Sequence, residues 1–185
     1  MAAGSIAEVV REATAADSRG IAEVHVRCWQ AAYGGILPKQ LLDDLSVDLR
    51  SDFWRAELSD ENSRARTLVA EDPPDAIAGF ITVVLPSRDN DAGEHTAEIA
   101  ATYVDPSRWN AGVGRSLLRE ALAGLDDKQW AVATLWIFQR NAQGRAFYAR
   151  SGFRLDGALS KHDPSGVTTA RMRVPLGSSG ARAGS

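Results

Sequence analysis

The chain has 185 residues, a length that fits one domain with a core large enough to fold without disulfides or metal. Its 44% hydrophobic and 24% charged composition is ordinary for a globular protein, and a single cysteine, Cys28, excludes an internal disulfide framework and a cysteine-based zinc cluster. The net charge of −3 hides a division: residues 1–107 carry 9 Lys+Arg against 19 Asp+Glu, whereas residues 108–185 carry 12 against 5.

In chain order, Val9–Glu12 is a short run that reads as a first strand. Thr14 with Asp17 three residues on has the form of a capping box, and Ile21, Val24, Cys28 and Ala32 recur at helical spacing behind it. A helix is predicted over Ala15–Ala32, ended by Tyr33-Gly34-Gly35. Pro38 opens a short helix to Leu45, and Ser46 caps a third, with Val47, Phe53, Trp54 and Leu58 as its buried positions. Arg66–Glu71 and Ala76–Leu85 read as strands broken by Asp72-Pro73-Pro74-Asp75, forming a hairpin. Pro86–Gly93 is a loop and Glu94–Val104 a strand.

The second half alternates helix and strand. Asp105–Val113 is a turn-rich connection, and Leu117, Leu118, Ala121, Leu122 and Leu125 mark a helix. Ala133–Phe138 is a strand. Asn141 begins a helix that ends at Gly152, Phe153 starts another strand, Asp163–Gly166 turns, and Val167–Val174 is the last strand. The order predicts a mixed α/β layer protein.

The opening residues, MAAGSIAEVV, lack a basic n-region and do not read as a secretory signal. The longest nearly apolar run, Ala76–Leu85, is far short of the about 20 residues of a membrane-spanning helix. A cytoplasmic protein with no membrane partner is expected, in keeping with its lone thiol. Met1–Ser5 and Gly177–Ser185 are expected to be flexible ends of a single domain over residues 6–176.

The segment with the clearest chemistry is Val104–Leu118, VDPSRWNAGVGRSLL. A strand ends, a loop follows, and Gly112-Val113-Gly114 opens a helix whose exposed N–H groups and dipole favour an anion. Glycine lets a phosphate approach the backbone, although a glycine-rich turn before a core helix has the same appearance. A dinucleotide fingerprint is excluded because Leu117 stands where its third glycine belongs. A Walker loop is excluded because Arg115 follows Gly114 where that motif has lysine.

Val104-Asp105-Pro106, Trp109 and Gly112-Val113-Gly114-Arg115 resemble the acetyl-CoA motif of the GNAT N-acetyltransferases. Leu135–Phe138, Asn141 and then Phe147-Tyr148-Ala149-Arg150-Ser151-Gly152-Phe153 resemble that family's second signature, and Trp29–Tyr33 with Ile36-Leu37-Pro38 resembles a common bacterial branch. The resemblance runs from about Val9 to Pro175. It departs at Trp109, where many members have Gln or Arg, and at Ala111, where many have a basic residue.

The resemblance implies a mixed, mostly antiparallel central sheet with helices on both faces, whose fourth and fifth strands splay to admit acetyl-CoA. It implies no metal, an amine acceptor and, commonly, a homodimer. Cofactor contacts would come from Tyr103, Val104, Arg108, Ala111, Gly112, Val113, Gly114, Arg115, Ser116 and Asn141. The Val104 N–H would stabilise the oxyanion, and N–H groups from Gly112 to Ser116 would hold the pyrophosphate. Asn141 serves equally as a helix cap.

A protonated alkyl amine must lose a proton before it attacks. Strand alternation puts Glu98, Ala100, Thr102 and Val104 on one face, which makes Glu98 the candidate base, directly or through water, unless it is a solvent-facing strand residue. Tyr148 is the candidate acid for the departing thiolate, or else a core aromatic. Trp29 and Tyr33 line the acceptor site or merely pack. His25, His95 and His162 are dispersed, without metal-ligand spacing, although His95 lies near enough to Glu98 to join a proton relay.

The expected activity is therefore acetyl transfer to a primary amine by direct attack in a ternary complex, with a small cationic amine in preference to a protein N-terminus or lysine. The alternative is a catalytically silent acyl-CoA-binding module on the same fold. The acidic half would favour a cationic acceptor and the basic half the polyanionic cofactor. Despite the basic half, no nucleic-acid-binding signature is present.

Overall fold

The computed structural model describes residues 9–72, 76–125, 129–162 and 164–177. In chain order these form β1 (Val10–Glu12), α1 (Ser18–Ala32), α2 (Lys39–Asp43), α3 (Val47–Ser59), β2 (Ala65–Asp72), β3 (Ala76–Val84), β4 (Thr96–Val104), α4 (Val113–Ala123), β5 (Val132–Phe138), α5 (Ala142–Arg150), β6 (Arg154–Lys161) and β7 (Thr168–Pro175). Single 3-10 turns precede α1 and follow β4. The expected elements are all present, with boundaries displaced by a residue or a few. The ends expected to be flexible fall outside the described residues, apart from Gly177, as do Pro73–Asp75 and Asp163.

One seven-stranded sheet runs in the order β1-β2-β3-β4-β5-β7-β6. The β4–β5 pair is parallel and every other pair is antiparallel. Helices cover both faces. On one, α4 buries Val113, Leu117, Leu118 and Ala121 against Ile81, Val83, Ile99 and Leu135, with Tyr148 of α5 in the same cluster. On the other, Ile21, Ala22 and Val24 of α1 and Trp54 of α3 pack on Val69 and Phe80. Each fully buried Leu or Ile here contributes roughly 1.5–3 kcal/mol. The predicted buried set of α3 needs one correction: Trp54 is 5% exposed, but Phe53 is 48% exposed. Adjacent helical positions 100° apart do not both face one sheet.

Local chemistry sets the helix starts. Asp17 accepts from the Thr14 N–H at 2.7 Å and from Arg11 at 2.8 Å, fixing the entry to α1. Ser46 Oγ accepts from the Leu49 N–H, and Asn141 Oδ1 from the Gly144 N–H at 2.9 Å. At the far end of α5, Gly152 adopts φ 90°, the left-handed stop that glycine tolerates.

Two features of β4 make the site. First, the register against β3 shifts between Thr82 and Val83, which pair with Ala101 and Ile99, so Ala100 is an inserted residue. This bulge reverses the alternation. Ala97 and Ile99 face the α4 cluster, whereas Ala101 and Tyr103 face the α1 cluster. The expected common face of Glu98, Ala100, Thr102 and Val104 does not exist. Second, β4 pairs with β5 only from Thr96 to Ile99, opposite Val132 to Leu135. Beyond this point the strands part, and the edges of Ala100–Val104 and Trp136–Phe138 that face each other carry no ladder.

Candidate functional site

A cavity of about 1330 Å³ opens where β4 and β5 part. Ile99 to Val104 and Leu135 to Phe138 form its two strand walls. The Asp105 N–H bonds to the Ala78 carbonyl at 2.8 Å, so antiparallel alternation turns the peptide groups of Thr102 and Val104 away from β3 and toward this opening. The Val104 carbonyl accepts from Trp109 Nε1 at 2.9 Å. The Val104 N–H meets the Cys28 thiol, a weak acceptor. Burial pushes that thiol up to about 11, and the Val104 N–H offsets this only in part. Gly79, paired with Val104, keeps this stretch in place: a Cβ there would lie 2.9 Å from the Tyr103 carbonyl oxygen.

One end of the cavity is the start of α4. Gly112 is its N-cap at φ 102°, in the left-handed region, following Asn110 at φ 63°. Helix geometry leaves the N–H groups of Gly112, Val113, Gly114 and Arg115 without intrahelical acceptors. The row is shorter by one than the expected Gly112 to Ser116, and Ala111, expected as a further cofactor contact, also stands apart. Ala111 donates to the Arg108 carbonyl and Ser116 to the Gly112 carbonyl at 3.0 Å, and neither residue lines the cavity. Arg108, Gly112, Val113, Gly114 and Arg115 do line it. The loop before α4 is anchored to α1 by Arg27, which donates to Asp105 at 2.7 Å. This arrangement fits a polyanion on the α4 N–H groups and an extended arm along the open β4 edge.

Tyr148 lines the middle of the cavity, 8% exposed, its ring against Phe147 and Phe153. Burial holds its phenol well above the ordinary value of 10, so the hydroxyl stays protonated. Tyr103, pushed up to about 12 mainly by burial, stacks on His25 with ring centroids 4.9 Å apart. Asn141 lines the cavity while capping α5 through its oxygen. Trp29 and Tyr33 meet edge-to-face at 5.4 Å and line the other end.

Glu98 is not where sequence alternation puts it. It is 4% exposed and does not line the cavity. Its oxygens accept from the Arg88 N–H at 2.9 Å, from Arg88 Nε at 3.1 Å, and from a second guanidinium nitrogen. Burial alone would raise its pKa, but these Arg88 contacts outweigh it and hold the carboxylate below its ordinary value. Six residues of strand also separate it from Val104, a span of about 20 Å before the bulge is allowed for. The Glu98 carboxylate is engaged by Arg88 and does not line the cavity. His95, considered for a relay with Glu98, has its Nδ1 2.8 Å from the Gln129 carbonyl and does not line the cavity. Among the described residues no cluster of three or more His, Cys, Asp or Glu is suited to a metal.

The cavity contains residues that the sequence pattern did not single out as a site. Arg50, Phe53, Trp54 and Glu57 of α3 line the end near Trp29, as does His25 of α1. The spacing of Arg50, Trp54 and Glu57 is that of one helix face, a signal present in the sequence but indistinguishable there from a packing stripe. Burial, aided by the Arg50 charge, lowers His25 to about 3, so it is neutral at pH 7. Glu57 is the single carboxylate among the lining residues described. Most acidic side chains of the first half are spent elsewhere, Asp17 and Glu71 on Arg11 and Asp89 and Asp91 on Arg171. Among the described residues, Glu57 is thus the carboxylate that the acidic half brings to the cavity lining.

Residues 21–153 match the Acetyltransferase (GNAT) family. The uncharacterized N-acetyltransferase YuaI of Bacillus subtilis is 30% identical over 132 residues, 71% of this chain and 72% of that protein. The spermidine N(1)-acetyltransferase of Thermoplasma acidophilum is 21% identical over 152 residues, 80% of this chain and 88% of that protein. A crystal structure of the PaiA N-acetyltransferase of Thermoplasma acidophilum in complex with coenzyme A superposes with a TM-score of 0.74 at 21% identity, covering 92% of this chain and 100% of that one. A structure of YncA from Salmonella typhimurium with acetyl-CoA gives 0.67 at 20% identity, covering 96% and 99%.

Proposed function

The chain belongs to the GNAT family of acetyltransferases, and on that premise we propose that it moves an acetyl group from acetyl-CoA to a primary amine of a small molecule, with both substrates bound together. The observation that carries this reading is the unladdered β4 edge running into four free N–H groups at the start of α4. When bound, acetyl-CoA supplies an activated thioester carbonyl. The named acceptor of the Thermoplasma relative, spermidine, supports a small amine.

The N–H groups of Gly112 to Arg115, with Arg108 and Arg115 nearby, hold the pyrophosphate. The Thr102 and Val104 peptide groups pair with the pantetheine arm as an added strand would. The Val104 N–H, lightly held by a thiol, donates to the carbonyl oxygen as negative charge builds there. The Tyr148 hydroxyl donates a hydrogen bond to the departing sulfur as negative charge builds there. Asn141 keeps its amide nitrogen for the cofactor while its oxygen caps α5. Trp29 and Tyr33 close the acceptor end. The amine proton passes to water, with Glu98 acting at most through that water.

The reading extends to a cytoplasmic homodimer. Cys28 is buried and has no second cysteine to pair with, and the edge strand β6 exposes Leu155 and Leu159. Light scattering of the purified protein tests the dimer. Initial rates with both substrates varied test the mechanism: intersecting double-reciprocal lines are expected, and parallel lines contradict a ternary complex.

A further inference from the structure

We propose that the acceptor carries a carboxylate beside its amine, as an amino acid does, and that Arg50 binds that carboxylate. This rests on the acetyl-transfer reading above and names its substrate class.

Arg50 carries a charge left unmatched. It lines the cavity half-buried, and no side-chain hydrogen bond or carboxylate partner accompanies its guanidinium among the described residues. Its guanidinium carbon lies 5.8 Å from the centre of the Trp29 ring, a cation–π contact and its one specific neighbour. The second cavity arginine on this side, Arg88, is already paired with Glu98, and Glu57 lies within its field.

Around Arg50 the buried polar atoms are also unsatisfied. Both ring nitrogens of His25 and the Trp54 Nε1 lack partners, although His25 is 6% and Trp54 5% exposed. Buried polar groups are nearly always paired, so unpaired nitrogens on two residues that line one cavity mark a place that a ligand or ordered water completes. Guanidinium and indole N–H groups only donate, and a neutral imidazole adds one donor and one acceptor. Donors outnumber acceptors beside a positive charge, which matches an accepting group with an amine next to it. A carboxylate meets this need and seats both oxygens on the guanidinium fork. A polyamine would need acceptors, and Glu57 is the one carboxylate available there.

Position narrows the class further. Arg50 lies over Trp29, whose ring centre is 6.3 Å from that of Tyr103, and Tyr103 adjoins Val104, where the reacting carbonyl belongs. The carboxylate therefore sits close to the attacking amine.

The test compares α-amino acids with the amines formed by their decarboxylation, and with spermidine, on the wild-type protein and on Arg50→Met, Arg50→Lys and Trp54→Phe. Wild-type kcat/KM should favour each amino acid over its decarboxylated partner by 100-fold or more. In Arg50→Met that ratio should collapse toward one, Arg50→Lys should restore part of it, and Trp54→Phe should raise KM for amino acids severalfold. Calorimetric binding of CoA checks that each variant is folded. Wild-type preference for spermidine or the decarboxylated amines overturns the proposal and leaves acetyl transfer standing. So does an unaltered preference ratio in a folded Arg50→Met. Absence of turnover in every arm overturns both readings.

Discussion

The role of Tyr148 gives a prediction whose size follows from its surroundings. Tyr148→Phe deletes one hydroxyl and keeps a ring that packs on Phe147 at 4.9 Å and Phe153 at 5.5 Å, so the fold should hold. Burial holds the phenol well above 10, whereas a departing alkyl thiolate has a pKa near 8.5. Complete proton transfer from this tyrosine to sulfur is uphill, so the hydroxyl acts chiefly by hydrogen bonding to the growing negative charge. Hydrogen bonds to charged groups contribute about 1.5–3 kcal/mol, or about 10- to 150-fold in rate. That is the expected fall in kcat, at the lower end of general acid effects. The acetyl-CoA KM should change less than threefold. Steady-state kinetics with CoA release as the signal measures both quantities. A kcat loss below threefold, or a loss confined to KM, refutes the reasoning.

Three further substitutions probe the frame around the site. Gly79→Ala forces a Cβ to 2.9 Å from the Tyr103 carbonyl oxygen, so it should cost about 1–3 kcal/mol in denaturant unfolding and lower kcat by shifting Val104. An alanine variant as stable and active as wild type would show that β4 needs no such close approach. Glu98→Gln should destabilise by about 1–2 kcal/mol, a modest figure because the Arg88 head is 57% exposed, while the pH profile of kcat keeps its shape. Its carboxylate is depressed in the folded state, so the stability gap to wild type should be full above the ordinary value of 4.5 and close as pH falls below it. Loss of the acid limb of kcat in Glu98→Gln would restore Glu98 as the base. Asp17, lowered to about 2 chiefly by Arg11, contributes stability that is present above its ordinary 3.8 and lost as pH falls toward 2. Asp17→Asn should flatten that part of the acid unfolding curve, and an unchanged curve would remove the Arg11–Asp17 pair from the account.

The parts legible in the sequence were those with local causes. The Gly112 to Gly114 start of α4, the Asn141 cap and the Gly152 stop each depend on residues within a few positions, and each stands where the spacing puts it. The splay of β4 from β5 was legible through family resemblance alone, since nothing in either strand's composition announces where pairing ends. Alternation failed at Ala100 because a bulge is one extra residue whose cost is met by partners on β3, out of sight in β4 itself. Glu98 was misplaced for that reason, and its partner Arg88 lies in a loop read as merely polar. Arg50, Trp54 and His25 went unrecognised as a site because helix spacing cannot distinguish a cavity wall from a packed face. The charge division also changes meaning on folding. Arg171 of the basic half is bound to Asp89 and Asp91 of the acidic half, so the two signs partly cancel across the sheet and leave Arg50 as the notable charge at the acceptor end.

The central claim is that the cleft between β4 and β5 transfers acetyl from acetyl-CoA to a small amine. It is tested most directly by incubating the purified protein with acetyl-CoA and a broad amine library that includes amino acids, polyamines and aminoglycosides, and identifying acetylated products by mass spectrometry. The account predicts N-acetylated small-molecule product in equal amount to the CoA released. Firm acetyl-CoA binding with no acetylated product from any amine would contradict it, and would leave a silent acyl-CoA-binding module in its place.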